Sequence, residues 1–303
     1  MFKGLTIQQF KKRFSTNYSR MQYLVEQKWA QGYSCIKCGH TEFGKGRQWF
    51  YKRCKKCNYD ESATANTIFH GVKLNLRLVF ELAYRIVLRK KGMLTCELAK
   101  ELGCQQKTAW EWKGKFQFAM KSSETHDLEG AIEVDEFMVG GFEPEAPGRS
   151  SGDKSLVVLA IEKVKGKKGK ETIGRAYART IDDGSAKSLQ TIFDKHISKN
   201  SSIDTDKWRG YAPLKKDWKI TQSLSNKGEG MKLLHIHIMN LKGWLRGIHH
   251  KCSKERLQYY LDEYHFRFNR RNSIKKIFDK LMLRSIQTLP HPYALIKVCE
   301  QNT

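Results

Sequence analysis

The chain has 303 residues, of which 56 are lysine or arginine and 31 are aspartate or glutamate, so its formal charge is +25. This length allows two or three domains, each with a core of its own. The positive surplus is spread along the chain, which favours a polyanionic partner such as nucleic acid. The alternative is a soluble or ribosome-associated protein that is basic for other reasons.

The first residues are soon polar and charged, with no apolar run of signal-peptide length. The longest apolar stretch, residues 156–161, is far shorter than the roughly 20 residues needed to cross a bilayer. We therefore expect a cytoplasmic protein with no membrane partner, associated with the nucleoid if it is bacterial. In that reducing compartment the eight cysteines are better candidates for metal ligands than for disulfides.

Two Cys-x-x-Cys pairs, Cys35 with Cys38 and Cys54 with Cys57, are separated by 15 residues. Each pair presents two thiolates to one ion, and two pairs complete the tetrahedral set that structural zinc prefers. The pattern predicts a zinc ribbon over residues 33–73, with a hairpin between the pairs. Because four cysteines leave no open coordination position, we expect the zinc to be structural.

The segments around the ribbon are predicted to be helical. Residues 1–32 carry apolar side chains at near-helical spacing, which indicates one or two short amphipathic helices. Basic residues near the cysteines, Lys55 and Lys56 among them, suit contacts with DNA phosphates, although a solvated surface would look the same.

Residues 74–125 have helical periodicity and include a candidate helix-turn-helix. We expect Thr95 to cap its first helix, Gly103 to form the turn, and residues 105–115 to form the second helix. The residues expected to face the DNA groove are Gln105, Gln106, Lys107 and Thr108. The alternative is an ordinary helical hairpin that links two domains.

Residues 126–280 change to a pattern of strands. Alternation around Asp135 predicts a strand, and the following elements are predicted as strands at 156–161 and 172–178, a helix at 185–196 and a short strand at 201–206. This is the chain order of a ribonuclease H-like mixed sheet, in which the first and fourth strands are neighbours. The arrangement would bring Asp135 and Asp206 together.

Two neighbouring carboxylates repel each other unless a hard cation lies between them, so the pair predicts Mg²⁺ or Mn²⁺. Two such ions about 4 Å apart can support phosphoryl transfer. The predicted helix at 233–250 should supply a third ligand. Its apolar stripe has Asn240 and His237 on one flank, our ligand candidates, and Lys242 and Arg246 on the other, which suit phosphate.

Several motifs resemble bacterial insertion-sequence transposases of the DDE class, in the subgroup that has an N-terminal zinc ribbon and often Asn as the last catalytic residue. The matching features cover nearly the whole chain: the paired Cys-x-x-Cys motifs, Val134-Asp135-Glu136 with Gly140-Gly141, Thr205-Asp206 with Tyr211, His235 with Asn240-Leu241-Lys242, and residues 257–271. The resemblance implies an α+β multi-domain protein with a ribonuclease H-like catalytic domain. It also implies catalytic roles for Asp135, Asp206, Asn240 and Lys242.

The sequence leaves two alternatives for the third ligand of the metal. The family's frequent Thr-Asp-Gly is Thr205-Asp206-Lys207 here, and no glutamate occupies the third position. Either Asn240 suffices or an acid elsewhere, such as Glu229 or Glu263, completes the site. Glu263 also has possible salt-bridge partners in the arginines that follow it.

The predicted activity is hydrolysis at the ends of a mobile element, followed by attack of the freed 3′-hydroxyl on target DNA. The partners are double-stranded DNA and, by inference from the class, further copies of the chain. Residues 281–303 would be a C-terminal tail. The alternatives are a non-catalytic DNA-binding regulator with a degenerate catalytic domain and a ribonuclease H-like nuclease.

Overall fold

The computed structural model describes residues 5–89, 91–140, 154–166, 169–224, 230–249 and 252–290. They form two compact units. One, which we call the ribbon unit, contains the residues up to 120 and those from 273 onwards, and the other, the sheet unit, contains residues 121–272.

The helices are α1 Ile7–Arg13, α2 Asn17–Lys28, α3 Leu76–Leu88, α4 Thr95–Leu102, α5 Gln106–Met120, α6 Ala186–His196, α7 Lys232–Ile248, α8 Lys254–Phe268 and α9 Ile274–Gln287. The strands are β1 Phe43–Lys45, β2 Tyr51–Cys54, β3 Asp60–Ser62, β4 Ala131–Val139, β5 Ser155–Lys165, β6 Glu171–Ile181, β7 Ser202–Thr205 and β8 Lys219–Gln222. A 3-10 helix covers Arg209–Lys216. Within the described residues, no helix combines the length and apolar character that a membrane span requires.

The first two helices begin at capping boxes. Thr6 and Thr16 accept hydrogen bonds from the backbone three residues on, which satisfies amides that a helix start leaves free. Both helices pack in the ribbon unit with α3 and α9, and Asp279 of α9 accepts a hydrogen bond from Tyr23 and pairs with Arg13 at 2.9 Å. The prediction of short N-terminal helices is confirmed.

Helix α9 spans the domain boundary that we predicted from the sequence between residues 280 and 281. Its buried side chains include Phe278, whose ring contacts Phe10, Phe14 and Phe80 of the same unit. The structure therefore differs from the predicted division, because the apolar face of α9 completes the core of the ribbon unit.

The predicted helix pair around Gly103 is present as α4 and α5. Gly103 has φ 63°, a left-handed conformation that glycine adopts without strain, and it ends α4. Thr95 is not the cap, however. It is the first helical residue, Leu94 occupies the cap position, and the carboxylate of Glu97 accepts a hydrogen bond from the Leu94 amide at 3.4 Å.

The ribbon contains a small antiparallel sheet in the order β1-β2-β3. Strands β1 and β2 are the predicted hairpin between the cysteine pairs, and Phe43 lies opposite Cys54 in its register. The third strand follows the second cysteine pair and extends the hairpin.

The sheet unit is built on five strands in the order β6-β5-β4-β7-β8. Strands β4, β5 and β6 form an antiparallel meander, whereas β7 runs parallel to both β4 and β8. The predicted neighbourhood of the first and fourth strands is confirmed, and this mixed sheet with its helices is consistent with a ribonuclease H-like fold. The fifth strand was not predicted.

Helices cover both faces of this sheet. On one face α7 and α8 bury apolar residues of β4, β5 and β6, and on the other α6 and the 3-10 helix do so. The predicted stripe of α7 is confirmed, since Leu234, Ile238, Leu241 and Leu245 are all buried. The same helix brings polar side chains to the edge of the sheet.

Candidate active site and zinc centre

Strand β4 points its acidic side chains to both faces of the sheet, as its alternation requires. Glu133 faces α7, where its Oε2 accepts a hydrogen bond from the Leu234 amide at 3.2 Å. Glu136 faces the opposite layer, where its Oε2 accepts a hydrogen bond from the hydroxyl of Tyr211 at 2.7 Å.

The parallel pairing of β4 with β7 places Asp206 beside Asp135. The register joins Ala131 with Ser202 and Glu133 with Asp204, and Asp206 follows directly after β7. One oxygen each of Asp135, Glu136 and Asp206 lies within 4.8 Å of the others. The structure thus brings together the two aspartates expected from strand order and adds Glu136, which sequence reasoning missed.

Tyr211 holds Glu136 in this cluster. The tyrosine is fully buried on the 3-10 helix, and burial, followed by the nearby Glu136 carboxylate, raises its pKa well above the ordinary value. The phenol therefore stays protonated and donates its hydrogen bond. The sequence motif that contains Tyr211 predicted no role for this side chain.

Asp206 is fixed by the turn that follows β7. Its Oδ1 accepts a hydrogen bond from the Trp208 amide at 2.9 Å, and the Gln222 side chain donates to its backbone carbonyl at 3.0 Å. The Trp208 indole in turn donates to the Gly184 carbonyl at 2.7 Å. Such side-chain-to-backbone bonds define one orientation of the carboxylate.

Glu133 anchors the start of α7 on the sheet. The Met231 side chain makes no capping hydrogen bond, and the Glu133 carboxylate satisfies the Leu234 amide in the first turn instead, where negative charge is favourable. Lys163 lies 3.3 Å from Glu133 and 3.2 Å from Asp204. Burial lowers the pKa of Lys163, but its bonds to these two carboxylates outweigh burial and raise it overall.

The anchored helix places His235 against Asp135, with Nε2 3.8 Å from Oδ2. Lys242, about two turns along α7 and so on the same face, has its ammonium 5.3 Å from the ring centre of Phe137, which lies two positions beyond Asp135 on β4. Burial and, secondarily, Arg246 lower the pKa of Lys242. The flank of α7 that carries Lys242 and Arg246 is therefore the one at Asp135.

Asn240 is exposed on α7 and lies about 140° around the helix from His235 at ~100° per residue. His237, an alternative ligand from the sequence, packs on α8: its Nε2 is 3.2 Å from Nε2 of His265, and its ring centre is 4.4 Å from that of Phe268. Burial, then the neighbouring His265, lowers its pKa to about 2. The structure does not bring His237 to the carboxylates.

Of the two acidic alternatives, Glu263 is not part of the acidic cluster found among the described residues. Glu263 is fully buried on α8, and Glu229 lies outside the residues that the structure describes. The sequence placed the third ligand on the flank of Asn240 and His237, whereas the observed contact with Asp135 comes from the opposite flank. A helical wheel identifies the buried stripe but not which flank adjoins a given strand.

The donor set fits a hard cation. Three carboxylates whose oxygens lie within 4.8 Å repel one another in the absence of positive charge, and carboxylate oxygens are the ligands that Mg²⁺ and Mn²⁺ prefer. Asp135, Glu136 and Asp206 could therefore hold a divalent ion at the edge between β4 and β7.

The four predicted zinc ligands form a second cluster in the ribbon unit. One sulfur each of Cys35, Cys38, Cys54 and Cys57 lies within 4.8 Å of the others, and the pairs Cys35–Cys57 and Cys38–Cys54 are 3.6 Å apart. Burial raises the pKa of Cys35, but hydrogen bonds from backbone amides and the neighbouring thiols outweigh it and lower the value to about 6. The cluster can hold one Zn²⁺.

The predicted DNA contacts lie at the surface of their own units. Lys55 and Lys56 are exposed at the second cysteine pair, where Lys55 is 3.4 Å from Glu42. Arg246 is exposed on α7. At the start of α5 the candidates are exposed or half-buried: Gln105, Gln106, Lys107 and Thr108.

No curated protein sequence matches the chain. Among solved structures, a pre-cleavage Mos1 transpososome is 11% identical over 69% of this chain and 74% of its own, with a TM-score of 0.28. A Mos1 transposase paired-end complex with the left transposon end is 10% identical over 69% and 79%, with a TM-score of 0.22.

The family comparison covers the sheet unit. Residues 127–269 match the ISXO2-like transposase domain, and this range includes β4, β7 and α7 with Asp135, Asp206 and Asn240. This part of the chain is therefore similar to the transposase domain of an insertion-sequence family.

Proposed function

We propose that the protein is a metal-dependent DNA transposase of a bacterial insertion sequence, which cleaves DNA at the ends of the element and joins those ends to target DNA. The observation that carries the proposal is the convergence of Asp135, Glu136 and Asp206 within 4.8 Å inside a transposase-family domain. The formal charge of +25 supports DNA as the partner.

Asp135, Glu136 and Asp206 are the proposed ligands of Mg²⁺ or Mn²⁺. The family resemblance adds Asn240, on the other flank of α7, as a further candidate ligand. A bound pair of such ions would activate the attacking oxygen and stabilise the leaving oxygen of phosphoryl transfer. Lys242 and Arg246 are cationic side chains on the α7 flank at Asp135, and we assign them to the phosphates of the DNA.

The same carboxylates serve two successive reactions in this proposal. Water first attacks the phosphodiester at the element end and releases a 3′-hydroxyl. That hydroxyl then attacks a phosphodiester of the target, so that one P–O bond forms as another breaks. Lys242 and Arg246 would stabilise charge on the transferring phosphoryl group, and divalent ions held by the carboxylates would supply further positive charge there.

The ribbon unit would bind the element ends through the zinc ribbon, with Lys55 and Lys56, and through the start of α5, with residues 105–108. Zn²⁺ held by four thiolates would stabilise the ribbon and take no part in catalysis. We also propose that several copies act together on DNA, since two ends must be joined to one target.

The test is an assay of plasmid nicking and strand transfer, using supercoiled DNA that carries the inverted repeats flanking the gene. Wild-type protein should nick and join the DNA with Mg²⁺ or Mn²⁺ but not with EDTA. Asp135→Ala and Asp206→Asn should abolish both steps and leave end binding intact. Asp204→Asn is the matched control, because it removes a carboxylate two residues from Asp206 that lies outside the cluster.

The outcomes separate the alternatives. End binding without nicking by the wild-type protein would favour a DNA-binding regulator. Nicking that ignores the element ends would favour a general nuclease. Strand transfer that persists in Asp135→Ala would overturn the assignment of the site.

A further inference from the structure

A groove with a cavity of about 820 Å³ lies in the ribbon unit, between α2, the turn before β2, and the residues that lead into α3. Its lining includes Tyr18, Arg47, Trp49, Tyr51 and His70. A volume of this order is typical of ligand sites. Neither the acidic cluster of Asp135, Glu136 and Asp206 nor the zinc ligands line it.

Two large aromatic side chains of this lining are exposed. Tyr18 is 61% and Trp49 45% exposed, and their ring centres are 4.5 Å apart with an angle of 35° between the planes. Tyr18 is in the first turn of α2, and Trp49 precedes β2, so both rings are carried by elements of the same unit. An exposed aromatic ring offers an apolar face on which a planar ligand can stack.

The lining of the groove also includes the cationic side chain of Arg47 and the carboxylate of Asp60. The Arg47 side chain is 65% exposed, and its guanidinium lies 4.3 Å from the ring centre of Tyr51. Its Nη2 donates to the Tyr51 hydroxyl at 2.8 Å, while Asp60 lies 3.8 Å from Nε. These contacts orient the guanidinium beside the aromatic surface. Lys45 and Lys73, near the groove in sequence, are exposed as well.

We propose that this groove binds an unpaired segment of DNA, whose bases stack on Trp49 and Tyr18 while a phosphate pairs with Arg47. The proposal takes DNA as the partner from the proposed function and adds a site for single strands. Bases of an intact duplex have their faces covered by their neighbours, so only unpaired bases can cover these rings. The exposed Arg47 and the net charge of +25 on the chain favour a polyanion over an apolar protein segment.

The experiment measures binding of the full-length protein to a short oligothymidine that carries one 2-aminopurine, whose fluorescence falls when it stacks. The matched duplex serves as the comparison probe. The groove variants are Trp49→Ala, Tyr18→Ala and Arg47→Ala. The control variant is Ile36→Ala, because the Ile36 side chain is 52% exposed and lies outside the groove. Each aromatic substitution should weaken single-strand binding about tenfold, with duplex binding changed less than about twofold.

Two further variants separate loss of the groove from misfolding of the ribbon and from loss of catalysis. Trp49→Phe retains a stacking ring and should keep most single-strand binding, even if Trp49→Ala disturbs the ribbon. Asp135→Ala should bind the oligothymidine like wild type, so loss of catalysis and loss of the groove are separable results.

Three results would overturn the proposal. One is oligothymidine binding by Trp49→Ala equal to that of wild type. Another is an equal loss of single-strand and duplex binding. The third is a change of oligomeric state in the groove variants with unchanged DNA binding, which would make the groove a contact between copies of the chain.

Discussion

The imidazole of His235 lies against the carboxylate of Asp135, with Nε2 3.8 Å from Oδ2. This contact follows from the anchoring of α7, because Glu133, two positions before Asp135 on β4, accepts the hydrogen bond of the adjacent Leu234 amide. The strand and the helix are thereby held in register at the acidic cluster. A histidine beside a carboxylate ligand can bind the ion directly or orient that carboxylate.

We therefore expect His235→Gln to weaken Mn²⁺ binding to the full-length protein by about 10- to 100-fold, with a parallel loss of strand transfer. Isothermal titration with Mn²⁺ measures the first effect without relying on activity. The control is Met239→Ala. Met239 is on the same helix and 63% exposed, so this variant should bind Mn²⁺ like wild type.

The same titration of Asn240→Ala compares the two flanks of α7. A large loss for Asn240→Ala with none for His235→Gln would place the third ligand on the flank away from His235. An unchanged Mn²⁺ affinity of His235→Gln would by itself contradict a role for His235 at the metal.

The hydrogen bond from Tyr211 to Glu136 supports a second prediction. Tyr211→Phe removes the donor and leaves a buried carboxylate with one hydrogen bond fewer, which should lower the free energy of unfolding by about 1–3 kcal/mol. Urea unfolding followed by circular dichroism measures the change. Tyr177→Phe is the matched control, since the Tyr177 hydroxyl donates at 3.1 Å to the His126 carbonyl in an exposed position.

A double-mutant cycle tests whether the effect passes through Glu136. Glu136→Gln removes the charge, so adding Tyr211→Phe to it should lower stability by less than Tyr211→Phe does in wild type. Equal effects in both backgrounds would show that the tyrosine acts through its ring packing.

Removal of zinc should unfold the ribbon. The small sheet of β1, β2 and β3 buries few apolar side chains, and these include the cluster around Cys35 and Cys54. Metal binding therefore contributes much of the folding free energy of the ribbon. We expect one zinc per chain by atomic absorption, and loss of zinc with faster proteolysis between residues 33 and 62 in Cys35→Ser. Cys96→Ser, at an exposed cysteine outside the cluster, should retain the metal, and a zinc-free wild-type protein would contradict the assignment.

Much of this site could be predicted because its geometry follows from periodic patterns. Alternation on β4 and the chain order of strands were enough to place Asp135 beside Asp206, and the spacing of the cysteines was enough for the zinc cluster. The apolar stripe of α7 was equally readable. Each of these features depends on local periodicity and on a known order of elements.

The remainder depends on contacts between distant parts of the chain. Glu136 points to the face opposite Asp135, and its place in the cluster depends on Tyr211, which the 3-10 helix supplies. The flank of α7 that meets Asp135 depends on the bond from Leu234 to Glu133. Helix α9 joins the ribbon unit through aromatic packing of Phe278. Neither propensity nor hydrophobic period encodes such pairings.

Stability at acid pH is expected to depend on His196, at the end of α6. Its ring stacks on Tyr177, with centres 4.1 Å apart and an angle of 12°, and it is buried. Burial is the largest cause that lowers its pKa, to about 4 from an ordinary 6.5; Arg179 and Lys195 act in the same direction, and Glu124 opposes them.

A lowered histidine pKa means that the unfolded chain binds the proton more tightly than the folded one. The stabilisation is therefore complete above about pH 6.5, and it is lost as the pH falls from there towards the folded value of about 4. His196→Phe keeps a stacking ring but cannot be protonated. Between about pH 7.5 and pH 5, the free energy of unfolding should fall in both proteins. The fall in His196→Phe should be smaller than the fall in wild type by on the order of 1–2 kcal/mol.

Urea unfolding at both pH values gives the difference, with His126→Gln as the control because His126 is exposed. His237 and His265 also have lowered pKa values, of about 2 and about 4, mainly through burial, so His196→Phe should retain part of the pH dependence. If His196→Phe and wild type lost equal stability on acidification, protonation of His196 would not contribute to the pH dependence.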